Sequence, residues 1–126
     1  MTDPVAAVVT YLRGLSDLSS VHVTGDMNTR EVGETTIYLE PTGGFRVLRD
    51  CEDRIDIAYE VYAAARDAAV QLAFDLRELL FRLRTVEVGG LYFLDCYELS
   101  MPDYEPDPAS REHVYSGEVS FYYTAA

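Results

Sequence analysis

The stretch from residue 54 to residue 84 constrains the fold most strongly, because its hydrophobic period changes from two to about 3.6 without an intervening loop. Apolar and mostly polar residues alternate over residues 54–62, which predicts a long strand with one buried face. Over residues 63–84 the apolar residues recur every three or four positions, which predicts a helix about 33 Å long. A strand that leads directly into such a helix predicts a sheet with the helix packed on its apolar side.

Local signals place the remaining elements. Asp3 and Pro4 are typical of a helix start and precede an apolar repeat, so a helix is predicted over residues 3–15. Pro41 and the Thr-Gly-Gly of residues 42–44 predict the end of a strand and a turn, and the charged residues 45–53 follow no regular period. The Gly89-Gly90 pair predicts a second turn. The other predicted strands cover residues 21–24, 35–39, 91–99 and 111–123.

The predicted order is therefore α-β-β-β-α-β-β. This order indicates the α+β class: a two-layer sandwich in which an antiparallel or mixed β-sheet is packed by one long helix. A chain of 126 residues has room for one hydrophobic core, so residues 1–126 are expected to form a single domain.

The net charge of the chain argues against some classes of function. The chain has 22 acidic residues against ten basic ones, all arginine, and a formal net charge of −12. A sequence-specific nucleic-acid binder needs a basic surface, so that class is disfavoured. No apolar run approaches the about 18–20 residues of a membrane span, and the first residues do not resemble an export signal. In a cytoplasm, Cys51 and Cys96 are expected to be two free, half-buried thiols.

The residues and their spacing predict no catalytic residue, no cofactor and no metal site. The glycine pairs lack the residues that follow them in phosphate-binding loops, and the two histidines have no ligand at metal-binding spacing. Asp103, Glu105 and Asp107 resemble the start of a calcium loop, but the glycine and glutamate that such a loop needs are replaced by Pro108 and Val114. One sequence leaves open a spatial pair between Cys51 and His113.

The predicted long helix has a second apolar line beside the stripe that covers the sheet. This ridge consists of Val70, Phe74, Arg77 and Phe81. A helix that is apolar on two sides is buried on two sides. Either the N-terminal helix covers the ridge, or another subunit does. Phenylalanine and arginine are enriched in interface cores, so we expect a subunit contact.

With these elements in place, the chain resembles the tail terminator, or tail-completion, family of long-tailed bacteriophages. The resemblance spans nearly the whole chain and rests on a pattern of elements with a few turn residues. It is carried by the leading helix from Asp3, IYLEP at 37–41, TGG at 42–44, DRIDIAY at 53–59 before the alanine-rich helix, and Arg111 before the last strand.

The resemblance implies a structural virion protein of the tail or neck, assembled in the host cytoplasm. Such proteins form a ring, usually six-fold, that caps the tail tube, ends its polymerisation and joins the tail to the head connector. The implied partners are further copies of the chain, the tail-tube protein and a connector or stopper protein. DNA passes through without specific binding, and neither catalysis nor a cofactor is implied.

Two polar loops, residues 25–34 and 101–110, are expected to leave opposite parts of the sheet, to be mobile in the free subunit and to contact partners. The candidate contact residues are Met27, Asn28, Arg30, Tyr104 and Glu105. Glu52 and Asp53 are candidates for acids that face the lumen, where a negative wall would let DNA slide.

Other functions remain open at this point. The chain could be another head-tail neck component, such as a stopper or adaptor. It could also be a small cytoplasmic enzyme or ligand-binding domain, or an acidic DNA mimic that inhibits a DNA-binding protein.

Overall fold

Two helices and six strands, in the order α-β-β-β-α-β-β-β, make up the computed structural model, which describes residues 3–49 and 51–126. The helices are α1 (Pro4–Arg13) and α2 (Arg66–Phe81). The strands are β1 (His22–Thr24), β2 (Thr36–Leu48), β3 (Glu52–Ala63), β4 (Val86–Val88), β5 (Leu91–Tyr104) and β6 (His113–Ala125). Single 3₁₀ turns occupy Ser16–Leu18 and Met27–Thr29.

All six strands form one mixed sheet in the order β1-β2-β3-β6-β5-β4. The β1–β2 pair is parallel and the other pairs are antiparallel. Apolar residues of both helices and of the sheet share one core, so both helices lie on the same side of the sheet. Helix α1 contacts β1 and β2 at one edge of the sheet and β4 at the opposite edge, which shows that the sheet curls around the helix.

The predicted α+β class and the alternating strand at residues 54–62 are confirmed, but the helical layer and the element order are wrong in part. Two helices cover the sheet instead of one long helix, and α2 has 16 residues, about 24 Å. Of the predicted helix residues before Arg66, Ala63 is the last residue of β3, where it pairs with His113, and residues 64–65 form an exposed bend that leads into α2. The prediction extended the helix over them because an apolar strand end and an apolar helix start look alike over a few residues.

The three-residue strand β4 was not predicted, but the turn that follows it was. Gly89 and Gly90 both have positive φ, 61° and 85°, and join β4 to β5 as a two-residue hairpin in which Val88 pairs with Leu91. Positive φ at both central residues is the requirement of the tight hairpin turn that glycine favours.

The predicted end of β2 at Pro41 is also wrong, because β2 continues to Leu48 and pairs with β3 along its length. Strand β1 pairs with β2 only through Tyr38, so Pro41 lies in an edge segment next to a bulge, where a missing N–H is tolerated. Gly44 fits against β3 because a Cβ there would lie 2.2 Å from the carbonyl oxygen of Arg54.

Candidate assembly surface

The side of the sheet opposite the helices, called the outer face here, is divided into three zones along the strands. At one end the segments before β2 and before β6 fold over it. Carboxylates occupy the middle. At the other end, residues 41–48 of β2 pair with residues 52–57 of β3 as a hairpin, called the arm. The arm's outermost strand is exposed at every residue from 41 to 49.

A buried ion pair, called the loop clamp here, joins the two segments at the first end. Arg30 donates from Nη1 and Nη2 to the two carboxylate oxygens of Glu112 at 3.0 and 2.7 Å. Both side chains are almost fully buried, at 6% and 4% exposure. Arg30 also donates from Nε to the Thr36 hydroxyl at 2.8 Å, and its guanidinium lies 4.6 Å from the centre of the Tyr62 ring.

The Glu112 carboxylate receives a further hydrogen bond from the backbone N–H of Gly33 at 3.1 Å. Burial acts to raise the pKa of Glu112, but the hydrogen bonds from Arg30 and Gly33 outweigh it and hold the pKa below its usual value. The clamp is therefore an ionised pair at neutral pH, and it fixes both loops to the same end of the sheet.

This geometry corrects the expectation that the two loops leave opposite parts of the sheet. Residues 25–34 and the segment before β6 meet at the clamp, and the second loop is shorter than predicted because β5 extends to Tyr104. Arg30, a candidate partner contact, is used inside the chain. Tyr104 is half-buried and its hydroxyl lies 2.8 Å from Nδ1 of His113.

The other candidate contact residues in the loops differ in exposure. Asn28 and Glu105 are exposed, and Met27 is half-buried in the 3₁₀ turn. Hydrogen bonds from backbone N–H groups hold both segments: the Asn28 N–H donates to the Asp26 carboxylate at 2.9 Å, and the Glu105 N–H donates to the Val114 carbonyl at 2.7 Å. Partner contact at these residues stays a prediction.

The middle of the outer face, called the acidic zone, is a shallow cavity of about 290 Å³. Its carboxylates come from four strands and the residue after β5: Glu40, Glu60, Asp103, Glu105 and Glu118. Burial, with the neighbouring Glu40 adding to it, raises the pKa of Glu60 above its usual value. Thr42 donates a hydrogen bond to Glu118. Over residues 3–49 and 51–126, no group of three or more histidines, cysteines or acids is placed to hold a metal ion.

Glu52 and Asp53, the predicted lumen acids, do not belong to the acidic zone. They lie at the start of β3 in the arm, where Asp53 accepts hydrogen bonds from Arg46 of β2. The acidic zone could not be predicted from the sequence, because only strand pairing brings its carboxylates together. The alternation of Glu60 with the buried residues of β3 was the available signal.

An aromatic row crosses the arm end of the outer face. The guanidinium of Arg54 lies 5.2 Å from the ring centre of Phe45 and 5.9 Å from that of Tyr122. Tyr122 in turn makes an edge-to-face contact with Tyr97 at 5.7 Å. The row spans β2, β3, β6 and β5, and its two end residues, Phe45 and Tyr97, are exposed.

The ridge of Val70, Phe74, Arg77 and Phe81 is half-buried along its length. Arg77 lies over both phenylalanine rings, 5.9 Å from Phe74 and 5.6 Å from Phe81, and pairs with Glu98 of β5 at 2.5 and 2.8 Å. Helix α1 approaches α2 elsewhere, through the Tyr11 hydroxyl, which donates to the Leu79 carbonyl at 3.2 Å. A subunit contact on the ridge stays a prediction.

The cysteines are unbridged, as predicted, although only one is buried. Cys96 packs in the core, and burial raises the pKa of its thiol to about 12. Cys51 is exposed in the turn of the arm. His113 pairs with Ala63 at the far end of β3, and the length of that strand, about 33 Å over ten residues, separates it from Cys51. A Cys51–His113 pair is thereby excluded.

Neither described helix has the length and apolar character needed to span a membrane. No protein-family profile matches the chain, and no curated protein sequence matches it. Among solved structures, its fold matches a chain from the virion of a native gene transfer agent particle. The TM-score is 0.73 over 97% of this chain and 95% of that chain, at 12% sequence identity. At this identity the likeness establishes a shared fold.

Proposed function

We propose that this chain is a structural protein of a phage-like virion, and that it is the tail terminator. In this role, copies form a ring that caps the tail tube, stops its polymerisation and joins the tail to the head connector. The observation that carries the proposal is the fold shared with the gene transfer agent virion chain over nearly the full length of both chains.

The charge distribution supports a position beside moving DNA. The acidic zone places five carboxylates on a helix-free sheet surface, where they would repel phosphates instead of binding them. We propose that this zone, more than Glu52 and Asp53, faces the DNA. Six copies at −12 each would carry on the order of −72 before counterions.

The proposal includes no catalytic role and no cofactor. The thiol of Cys96 is buried and protonated at neutral pH, and His113 is occupied by Tyr104 in a stacked, hydrogen-bonded pair. These groups serve packing, and the acidic zone serves repulsion.

Electron microscopy of tube ends tests the proposal. The chain is mixed with the tail-tube protein of the same particle, and separately with its head-connector protein. A ring at one end of each tube, with further tube growth halted, is the expected result. A stopper or adaptor would bind the connector and leave tube growth unchanged. A chain that binds neither component contradicts a role in the neck.

A further inference from the structure

The sheet has two open edges, and they lie on its opposite sides. Strand β1 covers β2 only from Thr36 to Tyr38, and strand β4 covers β5 only from Leu91 to Phe93. Beyond these pairs, the described part of the chain provides no strand partner on the outer side of β2 or β5. Each edge therefore presents backbone N–H and C=O groups that another strand could pair with.

The exposed large apolar side chains collect on these two edges. The described part of the chain has seven, of which six lie on the edges and only Val32 lies elsewhere. The β2 edge carries Phe45, Val47 and Leu48, and the β5 edge carries Tyr97, Leu99 and Met101. Residues 41–49 and 97–101 are exposed without a break, so both edges are largely open to a partner.

The two edges carry opposite charge. Residues 41–49 contain two arginines and no acid, whereas residues 95–105 contain four acids and no base. Arg46 also pairs with Asp53 of the neighbouring strand β3. The opposite charges compared here are therefore those of the two edge strands, β2 and β5, alone. In a chain with net charge −12, an edge with a formal charge of +2 is an exception. On the β5 edge Asp95 pairs with Arg84 and Glu98 with Arg77, so its formal charge of −4 is partly neutralised, but the two edges keep opposite signs.

We infer that the β2 edge of one copy pairs with the β5 edge of the next copy. Successive antiparallel pairs make β2 and β5 run in opposite directions within one sheet. Two copies that point the same way therefore bring these edges together as an antiparallel ladder. Because each copy uses two different surfaces, the contact is head-to-tail and can repeat from copy to copy; it gives a ring where the rotation between copies closes.

Bulges keep the ladder short. They interrupt β2 between Arg46 and Leu48, and β5 between Glu98 and Ser100. Interruptions of this kind limit indiscriminate edge pairing, so the apolar side chains beside the ladder supply the rest of the contact. Closure into a ring rests on the proposed function, whereas the pairing of two copies does not.

Analytical ultracentrifugation of paired variants tests the inference. Leu48→Asp places a carboxylate on the β2 edge, Leu99→Asp places one on the β5 edge, and Val32→Asp is the matched control outside both. The wild-type chain and the control are expected to self-associate, while each edge variant binds its own kind at least tenfold more weakly. Melting temperatures check that the variants are folded; Tyr97→Asp replaces Leu99→Asp if the latter is destabilised.

The mixture of the two edge variants is decisive, because each retains the edge that the other has lost. At about 1 mM, where contacts with a Kd of that order are populated, the mixture is expected to give a dimer and nothing larger. A wild-type chain that stays monomeric at that concentration, a mixture that stays monomeric, or one edge variant that still dimerises alone overturns the inference. Tube capping is assayed separately, so a chain that self-associates without capping tubes removes the proposed function alone.

Discussion

The two ends of the outer face each hold an arginine–carboxylate pair with two hydrogen bonds, and the pairs differ in burial and in sequence separation. At the clamp, Arg30 and Glu112 are 82 residues apart in sequence and exposed by 6% and 4%. In the arm, Arg46 and Asp53 are seven residues apart and exposed by 49% and 30%. The same chemistry is therefore buried and joins distant segments at one end, and lies exposed on an edge hairpin of the sheet at the other.

This difference shows that a polar, turn-rich loop can be held firmly, while a charged segment without a regular period can form an exposed strand. The loop that leads into β2 is polar and rich in turn residues, yet the clamp fastens it to the segment before β6. The charged residues 45–53 fit no regular period, yet residues 45–48 and 52–53 belong to the paired strands of the arm. Local polarity reports neither property, because the clamp depends on a residue 82 positions away and the arm depends on pairing with the next strand.

The largest expected effect comes from breaking the clamp. Arg30→Ala leaves the Glu112 carboxylate buried without its counter-ion, which should lower the free energy of unfolding by about 3–5 kcal/mol. Arg46→Ala removes the corresponding pair in the arm and should cost less than about 1 kcal/mol, because solvent screens it. Urea denaturation of the two variants measures the contrast. Equal losses would show that the clamp end is no more tightly held than the arm.

A smaller contrast is expected at two glycines. A Cβ at Gly117 would lie 2.3 Å from the hydroxyl oxygen of the fully buried Tyr59, so Gly117→Ala should destabilise the whole fold by about 1–3 kcal/mol. In Gly44→Ala the added methyl group would clash with the β3 backbone within the arm, so the loss of stability should be confined to the arm. Thermal unfolding and the exchange of arm amides separate the two. A large drop in melting temperature for Gly44→Ala would show that the arm is part of the core.

Much of the core architecture could be predicted from local signals. Asp3 caps α1 through a 2.9 Å hydrogen bond to the Val5 N–H, as its position before Pro4 indicated. The alternation in β3 and the Gly89-Gly90 turn were equally direct. The clamp, the acidic zone and the open edges could not be predicted, because each is created by the register of strands distant in sequence.

Acid should weaken the clamp. The folded-state pKa of Glu112 is below its unfolded value, so its contribution to stability is complete above the unfolded pKa and disappears as pH falls through the folded pKa. In Glu112→Gln this contribution is absent at every pH. The difference in unfolding free energy between wild type and variant should therefore be larger at pH 7 than at pH 3. A difference that does not change with pH would mean that the carboxylate is not ionised in the clamp.

The smallest effect on stability is expected on the ridge. Phe74 is half-exposed beneath Arg77, so Phe74→Glu should leave the melting temperature nearly unchanged. If the ridge is a subunit contact, the same variant should fail to assemble, and if the edges alone join the copies it should assemble normally. Analytical ultracentrifugation that compares the self-association of Phe74→Glu with that of Leu99→Asp distinguishes these outcomes. A strongly destabilised monomer would place the ridge in the core.

Amide hydrogen exchange of the chain, before and after assembly, tests the contrast between the clamped end and the open arm most directly. In the dilute monomer, the clamp and the backbone hydrogen bonds should slow exchange in residues 25–34 and 105–112, while the amides of residues 42–49 that do not bond to β3 should exchange quickly. On assembly, protection should rise in 41–49 and in 95–104 and stay level at the clamp. Fast exchange of both loops in the monomer, or an arm that gains no protection on assembly, would contradict the account.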